Sequence, residues 1–245
     1  MSSSSKRDAA RGQYRTTVTD WSRVAPYIRY RYERARERLP ATGTVYELGC
    51  GIGVGLAYLA RTRPDLRFVG FEMSEGAVEY GREQFAQVKN LRLEVIGDVG
   101  ALAQQLDPGA FLVALEVLEH LDDETLTKFK VDVMSRVDEV VFSFPYNQQN
   151  IEGTDHLQSF DIYDIFELFP GFETIFMRRG SIKFIGHWRR APRAYLREAL
   201  GIGGEAKSVQ AIANVEARRD PPSTTRRSGA RRGWLARLGR RLVDA

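Results

Sequence analysis

Four side chains able to do acid–base or metal chemistry stand in two short segments of the chain. Glu116, Glu119 and His120 lie together in Leu115-Glu116-Val117-Leu118-Glu119-His120-Leu121, and His156 follows in Asp155-His156-Leu157. The chain holds three histidines in all, so two of them at such places is a concentration of imidazole. On a helical turn, Glu116 and either Glu119 or His120 converge on one cavity. Imidazole titrates near neutral pH and can take a proton from an acceptor hydroxyl. Two carboxylates and two imidazoles are also an oxygen and nitrogen donor set for Mg²⁺ or Mn²⁺. The competing reading is structural, with His120 packed beside a helix start and His156 hydrogen-bonded in a loop.

A second signal is the run Val45-Tyr46-Glu47-Leu48-Gly49-Cys50-Gly51-Ile52-Gly53, placed after a strand-like segment and before a helix-like one. Glycines there permit a tight turn and let backbone approach a ligand with no Cβ in the way. Glu47 would repel a pyrophosphate but attract a cationic group. Glu72 ends FVGFE, where a carboxylate accepts hydrogen bonds from both hydroxyls of a ribose. Met73 and Ser74 follow it, and Asp98 with Val99 follow the next strand-like run. Asp98 also suits a helix N-cap.

The run ELGCGIG resembles the first motif, E/D-x-G-x-G-x-G, of the class I S-adenosylmethionine (SAM)-dependent methyltransferase superfamily. That resemblance implies SAM as cofactor, with Glu47, Gly49, Cys50, Gly51, Gly53, Glu72, Met73, Asp98, Val99 and Glu116 around it. Glu72 would hold the ribose, Met73 would pack on the adenine, and Asp98 with the Val99 backbone would meet the adenine edge. The segment EVLEHL is similar to two groups within the superfamily. One methylates hydroxyls of small-molecule, lipid-linked or glycan acceptors, which makes His120, Glu119 and His156 the catalytic candidates. The other methylates the 3′-terminal 2′-hydroxyl of small RNAs with a divalent metal, held here by Glu116, Glu119, His120 and His156. The first is favoured, with no metal. A SAM-binding protein without catalysis is the third reading, and the intact polar EVLEH segment speaks against it.

The elements that must position these residues alternate along the chain. TVYEL, RFVGF, LRLEVI, AFLVALEV and EVVFSF read as strands, separated by the helix-like VGLAYLARTR, SEGAVEYGREQFAQV and DDETLTKFKVDVMSR. Such alternation, with near-continuously apolar strands, predicts a parallel sheet covered on both faces. After the helix-like FDIYDIFELF, the runs FETIFMRR and SIKFIGHW, joined near Gly180, are too close for a parallel crossover and must pair antiparallel. The expected fold is α/β: a Rossmann-like seven-stranded, mostly parallel sheet with an antiparallel C-terminal hairpin and helices on both faces. Residues 1–15 read as disordered, and 16–191 as the domain, with an N-terminal helix over 18–40 and a core over 41–187. Trp21, Tyr27, Tyr30 and Tyr32 on that helix either cover the cofactor or staple the helix to the sheet. Residues 192–245 read as a basic, largely disordered tail with a short amphipathic helix over 232–243.

Composition sets the setting. The single cysteine excludes an intrachain disulfide and a cysteine-built zinc site. No secretory leader and no apolar stretch of membrane-spanning length is evident, so a cytoplasmic location is expected. The net charge of +4 hides an asymmetry: residues 41–177 hold 9 Lys/Arg against 23 Asp/Glu, and residues 178–245 hold 17 against 5. An acidic body with basic flanks disfavours nucleic acid at the core, since phosphates would be repelled. The basic tail suits an anionic membrane surface or an acidic protein partner.

Overall fold

The alternating apolar runs become five parallel strands: β1 (Thr44–Leu48), β2 (Arg67–Glu72), β3 (Leu91–Val95), β4 (Ala110–Leu115) and β5 (Val137–Phe144). A computed structural model describes residues 18–146, 156–178 and 183–190. The expectations for residues 1–15, for the turn at Gly180 and for the tail 192–245 with its helix 232–243 lie outside the described residues. The helices are α1 (Pro26–Arg36), α2 (Val54–Thr62), α3 (Glu75–Gln84), α4 (Val99–Gln105), α5 (Asp123–Lys128), α6 (Met134–Arg136) and α7 (Ile162–Leu168), with a π turn at Phe129–Val133 joining α5 to α6. Strands β6 (Glu173–Arg178) and β7 (Lys183–Arg189) close the sheet in the order β3-β2-β1-β4-β5-β7-β6. β7 runs antiparallel to both β5 and β6, as the short spacing of the two runs required.

Side-chain alternation along β4 shows why the sheet is covered on both faces. All six β4 residues are buried. Phe111, Val113 and Leu115 pack with Leu56 and Leu59 of α2 on one face, and Leu112 and Ala114 pack with Leu102, Phe129 and Phe144 on the other. Strand order reverses between β1 and β4, and in open α/β sheets ligands bind in the crevice beyond the strand ends at such a point. The glycine run leaves β1 there, and the EVLEH segment leaves β4.

Three helices start at side-chain caps that the sequence marks. Ser74, Asp98 and Asp122 accept hydrogen bonds from the backbone N–H of Ala77, Ala101 and Thr125, each worth roughly 1 kcal/mol. The stretch read as one helix over 18–40 is instead a 3-10 turn at Trp21–Arg23 followed by α1. Pro26 sets that break: the residue before a proline is pushed out of the helical region, and Ala25 is extended at ψ 135°. β4 also ends earlier than the run AFLVALEV suggests, because Glu116 adopts a left-handed φ of 54°. Among the described residues no helix is long and apolar enough to cross a membrane.

Candidate active site

The cofactor side is built around the turn after β1. Gly49, Gly51 and Gly53 all have positive φ, at 73°, 57° and 80°. At Gly49 a Cβ would lie 2.6 Å from Val117 Cγ2, so this position closes β1 against the turn after β4. The backbone N–H groups of Gly49 and Cys50 donate to the Phe71 carbonyl at 2.8 and 3.1 Å, tying the turn to the end of β2. Glu72 knits the next layer: one carboxylate oxygen accepts from Gly51 N–H at 3.0 Å, the other from Met73 and Ser74 N–H at 2.8 and 3.0 Å. A carboxylate has about four acceptor sites, so the side most open to solvent can still take a ribose hydroxyl. Met73 is 66% exposed beside it, an apolar side chain that a planar base can cover.

Glu47 is buried beneath this turn. One of its oxygens accepts a 2.5 Å hydrogen bond from the Tyr32 hydroxyl, and the other is buried with no hydrogen-bond partner among the described residues. Burial pushes its carboxyl up to about 8, against the hydrogen bond from Tyr32, and the nearby charge of Glu72 adds to the rise. A buried carboxyl with an unsatisfied oxygen fits the cationic amino end of SAM's methionine better than it fits any phosphate. Cys50 is placed differently from the expectation of a cofactor ligand. Its side chain is buried in the core against Gly70, whose Cβ would meet Sγ at 2.7 Å, so only its backbone is available to a cofactor. Burial drives its thiol well above the usual range, which keeps it neutral.

A cavity of about 330 Å³ joins the two sides, lined by Glu72, Met73, Asp98, Val99, Glu116 and His120, among others. Asp98, Val99 and His120 thus line one cavity with Glu72. His120 belongs to a 3-10 turn at Leu118–His120, which directs His120 to the cavity and buries Leu118 and Glu119. The segment after β5 is brought to this turn by backbone: Leu157 and Gln158 N–H both donate to the Glu119 carbonyl, at 2.7 and 2.9 Å. That docking sets the His156 ring edge-on to His120, with centroids 4.9 Å apart. Donor atoms of Glu119, His120 and His156 all lie within 4.8 Å of one another.

Of the four residues that a metal of the RNA-type reading would need, Glu116 stands apart from the cluster of the other three. Its carboxylate pairs with Arg31 of α1 at 2.7 Å and accepts from the Ser143 hydroxyl at 3.1 Å. The Arg31 and Glu116 side chains are 9% and 18% exposed, so the pair is largely withdrawn from water. The ion pair, the Ser143 bond and the Glu116 N–H to the Ser143 carbonyl (2.8 Å) together hold a backbone conformation that costs a non-glycine residue roughly 1–3 kcal/mol. The sequence reading missed Arg31, Ser143 and the role of Tyr32. A signal existed for the α1 residues: Arg31 and Ala35 are four apart and Tyr32 adjoins them, marking the inner face of the helix. Trp21 staples that helix, stacking on Tyr58 at 4.1 Å and meeting Tyr32 edge-on at 5.9 Å.

Known proteins agree with this architecture. Residues 45–137 match the family model described as a methyltransferase domain. An uncharacterized protein of Rickettsia prowazekii (strain Madrid E) is 33% identical over 57 residues, which is 22% of this chain and 23% of that relative's own length. Among solved structures, the N-terminal domain of EvdMO1, crystallised with S-adenosylhomocysteine (SAH) and D-fucose, superposes with a TM-score of 0.57 at 15% identity. It covers 78% of this chain and 98% of that one. Magnesium protoporphyrin IX methyltransferase from Synechocystis PCC 6803, with bound SAH, gives 0.56 at 18% identity, over 77% and 95%. The methyltransferase domain of bacterial CtHen1-C gives 0.52 at 18% identity, over 68% and 99%. Residues 45–137 are thus similar to a methyltransferase domain, and the seven-stranded sheet shares its fold with solved SAM-dependent methyltransferases.

Proposed function

We propose that this protein transfers the methyl group of SAM to a hydroxyl of a small-molecule, lipid-linked or glycan acceptor. The observation that carries this reading is that His120 lines the same cavity as Glu72, Asp98 and Val99. SAM, when bound, supplies an electrophilic methyl on a sulfonium. The chain's own residues do the rest. Glu47 meets the methionine amino group, Glu72 the ribose hydroxyls, and Asp98 with the Val99 backbone the adenine. His120 takes the acceptor hydroxyl's proton as general base, and such a base contributes roughly 10²–10⁴-fold to rate. Glu119 and His156 hold the imidazole in place, since their donor atoms cluster with His120's. The SAH and D-fucose found with the EvdMO1 domain make a sugar-like acceptor compatible with this fold.

A second reading, a metal-dependent RNA 3′-terminal 2′-O-methyltransferase, is favoured by the Glu119, His120 and His156 cluster. Those three residues would hold the ion, and Glu116 would not, because Arg31 engages it. Against this reading stands the charge of residues 41–177, where 23 acidic residues face 9 basic ones and would repel a phosphate backbone.

The test supplies labelled SAM to cell-extract fractions split into RNA, lipid, glycan and small-molecule pools, with and without a chelator. Label in the glycan, lipid or small-molecule pool that survives chelation supports the first reading. Label in RNA that needs Mn²⁺ supports the second. No label in any pool overturns catalysis and leaves a SAM-binding protein. We propose a cytoplasmic location, in keeping with its single cysteine, and that the basic tail 192–245 meets an anionic membrane or an acidic partner. Truncation after Ala191 is then expected to leave SAM binding intact and to reduce sedimentation with anionic liposomes.

A further inference from the structure

The group that the chemistry above uses least fully is Glu47. It is 1% exposed, one oxygen is fixed by Tyr32 at 2.5 Å, and the other is buried with no hydrogen-bond partner among the described residues. Among the described residues, the titratable and charged groups around it provide no compensating cation. From α1 comes the Tyr32 hydroxyl, itself driven well upward by burial and then by the Glu47 charge, and Arg31, which is engaged with Glu116 at 2.7 Å. From the glycine turn comes the neutral Cys50 thiol, and from the end of β2 comes Glu72, which is anionic and repels. An isolated buried carboxylate is costly, and such a group resolves the cost by keeping its proton.

Tyr32 is fixed independently of Glu47. Its ring lies against Gly55 so closely that a Cβ there would fall 2.0–2.3 Å from ring carbons, and Trp21 meets it edge-on. The hydroxyl is therefore delivered to Glu47 by the packing of α1 on α2.

Resting on the SAM reading above, we propose that burial keeps Glu47 a neutral acid in the free protein, that Tyr32 is a positioning residue that fixes one of its oxygens, and that arrival of the cofactor's ammonium drives one proton from Glu47 to solvent. The balance is simple. The Glu47 O–H bond breaks, the electron pair stays on the carboxylate, the proton passes to a buffer base, and the ammonium replaces it as counter-charge. Tyr32 keeps one oxygen occupied, so the oxygen without a partner is the one that turns to the ligand. The carboxyl's position near 8 means that most copies carry the proton at pH 7.

The experiment is titration calorimetry of the full chain with SAH at pH 7, repeated in buffers of different ionisation enthalpy. The dependence of the observed heat on that enthalpy counts the protons exchanged. The expected count is release of roughly 0.8 proton per SAH, slightly under one because part of the ligand amine is itself unprotonated at this pH. Affinity is expected to rise close to tenfold from pH 6 to pH 7. Glu47→Gln, which keeps shape and removes the titration, is expected to abolish the release and flatten the pH profile, with thermal melting confirming that it folds. Tyr32→Phe is expected to shift the rise in affinity to higher pH, since the hydrogen bond that favours the charged form is gone. A merely structural tyrosine would lower affinity equally at every pH. SAH binding by the wild type with no proton release overturns this inference alone, whereas absence of SAH binding overturns the SAM reading and this inference with it.

Discussion

The two halves of the site are built by opposite means. On the cofactor side the residues lie in three short stretches at strand ends, 47–53, 72–74 and 98–99, and apart from the Tyr32 bond to Glu47 their contacts are mostly backbone. Gly51, Met73 and Ser74 N–H all converge on Glu72, and the turn at Gly49 and Cys50 hangs on one carbonyl of β2. On the acceptor side the parts come from four distant places: Arg31 on α1, Glu116 to His120 after β4, Ser143 at the end of β5, and His156 beyond it. Local backbone geometry specifies a cofactor whose shape never changes. Long-range side-chain geometry, held by few bonds, sets the other half.

This contrast breaks most sharply at His120. His120→Ala is expected to lower turnover by roughly 10²–10⁴-fold while SAH affinity, measured by calorimetry, stays unchanged. Full activity in both His120→Ala and His156→Ala would remove the acceptor assignment and leave the cofactor side standing. Next in size is Arg31→Met, which leaves Glu116 without its cation in a largely buried place. A loss of about 3 kcal/mol in denaturant unfolding is expected, at the low end for a buried pair because Glu116 keeps 18% exposure. The Arg31→Met, Glu116→Gln double variant is expected to recover part of that loss, and additive losses would contradict the coupling. Gly49→Ala is smaller, about 2 kcal/mol, because a positive φ and a contact at 2.6 Å from Val117 must both be relieved.

The smallest effect is a slope. Glu47 sits near 8 in the folded protein against an ordinary 4.5, so the folded state binds the extra proton between those values. The stability that Glu47 contributes therefore falls as pH rises through that window, by about 1 kcal/mol per unit, and levels off above 8. Unfolding measured from pH 6 to 7 is expected to show this decline in the wild type and a flatter profile in Glu47→Gln. Identical slopes would show that Glu47 is already ionised in the free protein.

The same contrast explains what could be read from the chain itself. The positions of ELGCGIG, FVGFE and the Asp98-Val99 pair were legible because each lies within a few residues of a strand end, where topology fixes its place beside the crevice. The cap at Asp98 was legible for the same reason. His156 was legible as a residue type, but its meeting with His120 depends on the Leu157 and Gln158 amides finding the Glu119 carbonyl, which no spacing announces. Arg31 was hidden among Arg29, Arg34, Arg36 and Arg38, and only the inner face of α1 distinguishes it. Glu116 read as a partner of Glu119 because helical spacing was assumed. A left-handed backbone at Glu116 sends its side chain to α1 instead.

The most direct test of the central claim is a calorimetric titration of the wild-type chain with SAH and, separately, with NAD at neutral pH. Glu47 beneath a G-x-G-x-G turn, with Glu72 at the tip of β2, predicts one SAH bound per chain and no binding of NAD. Binding of NAD with none of SAH would contradict the account.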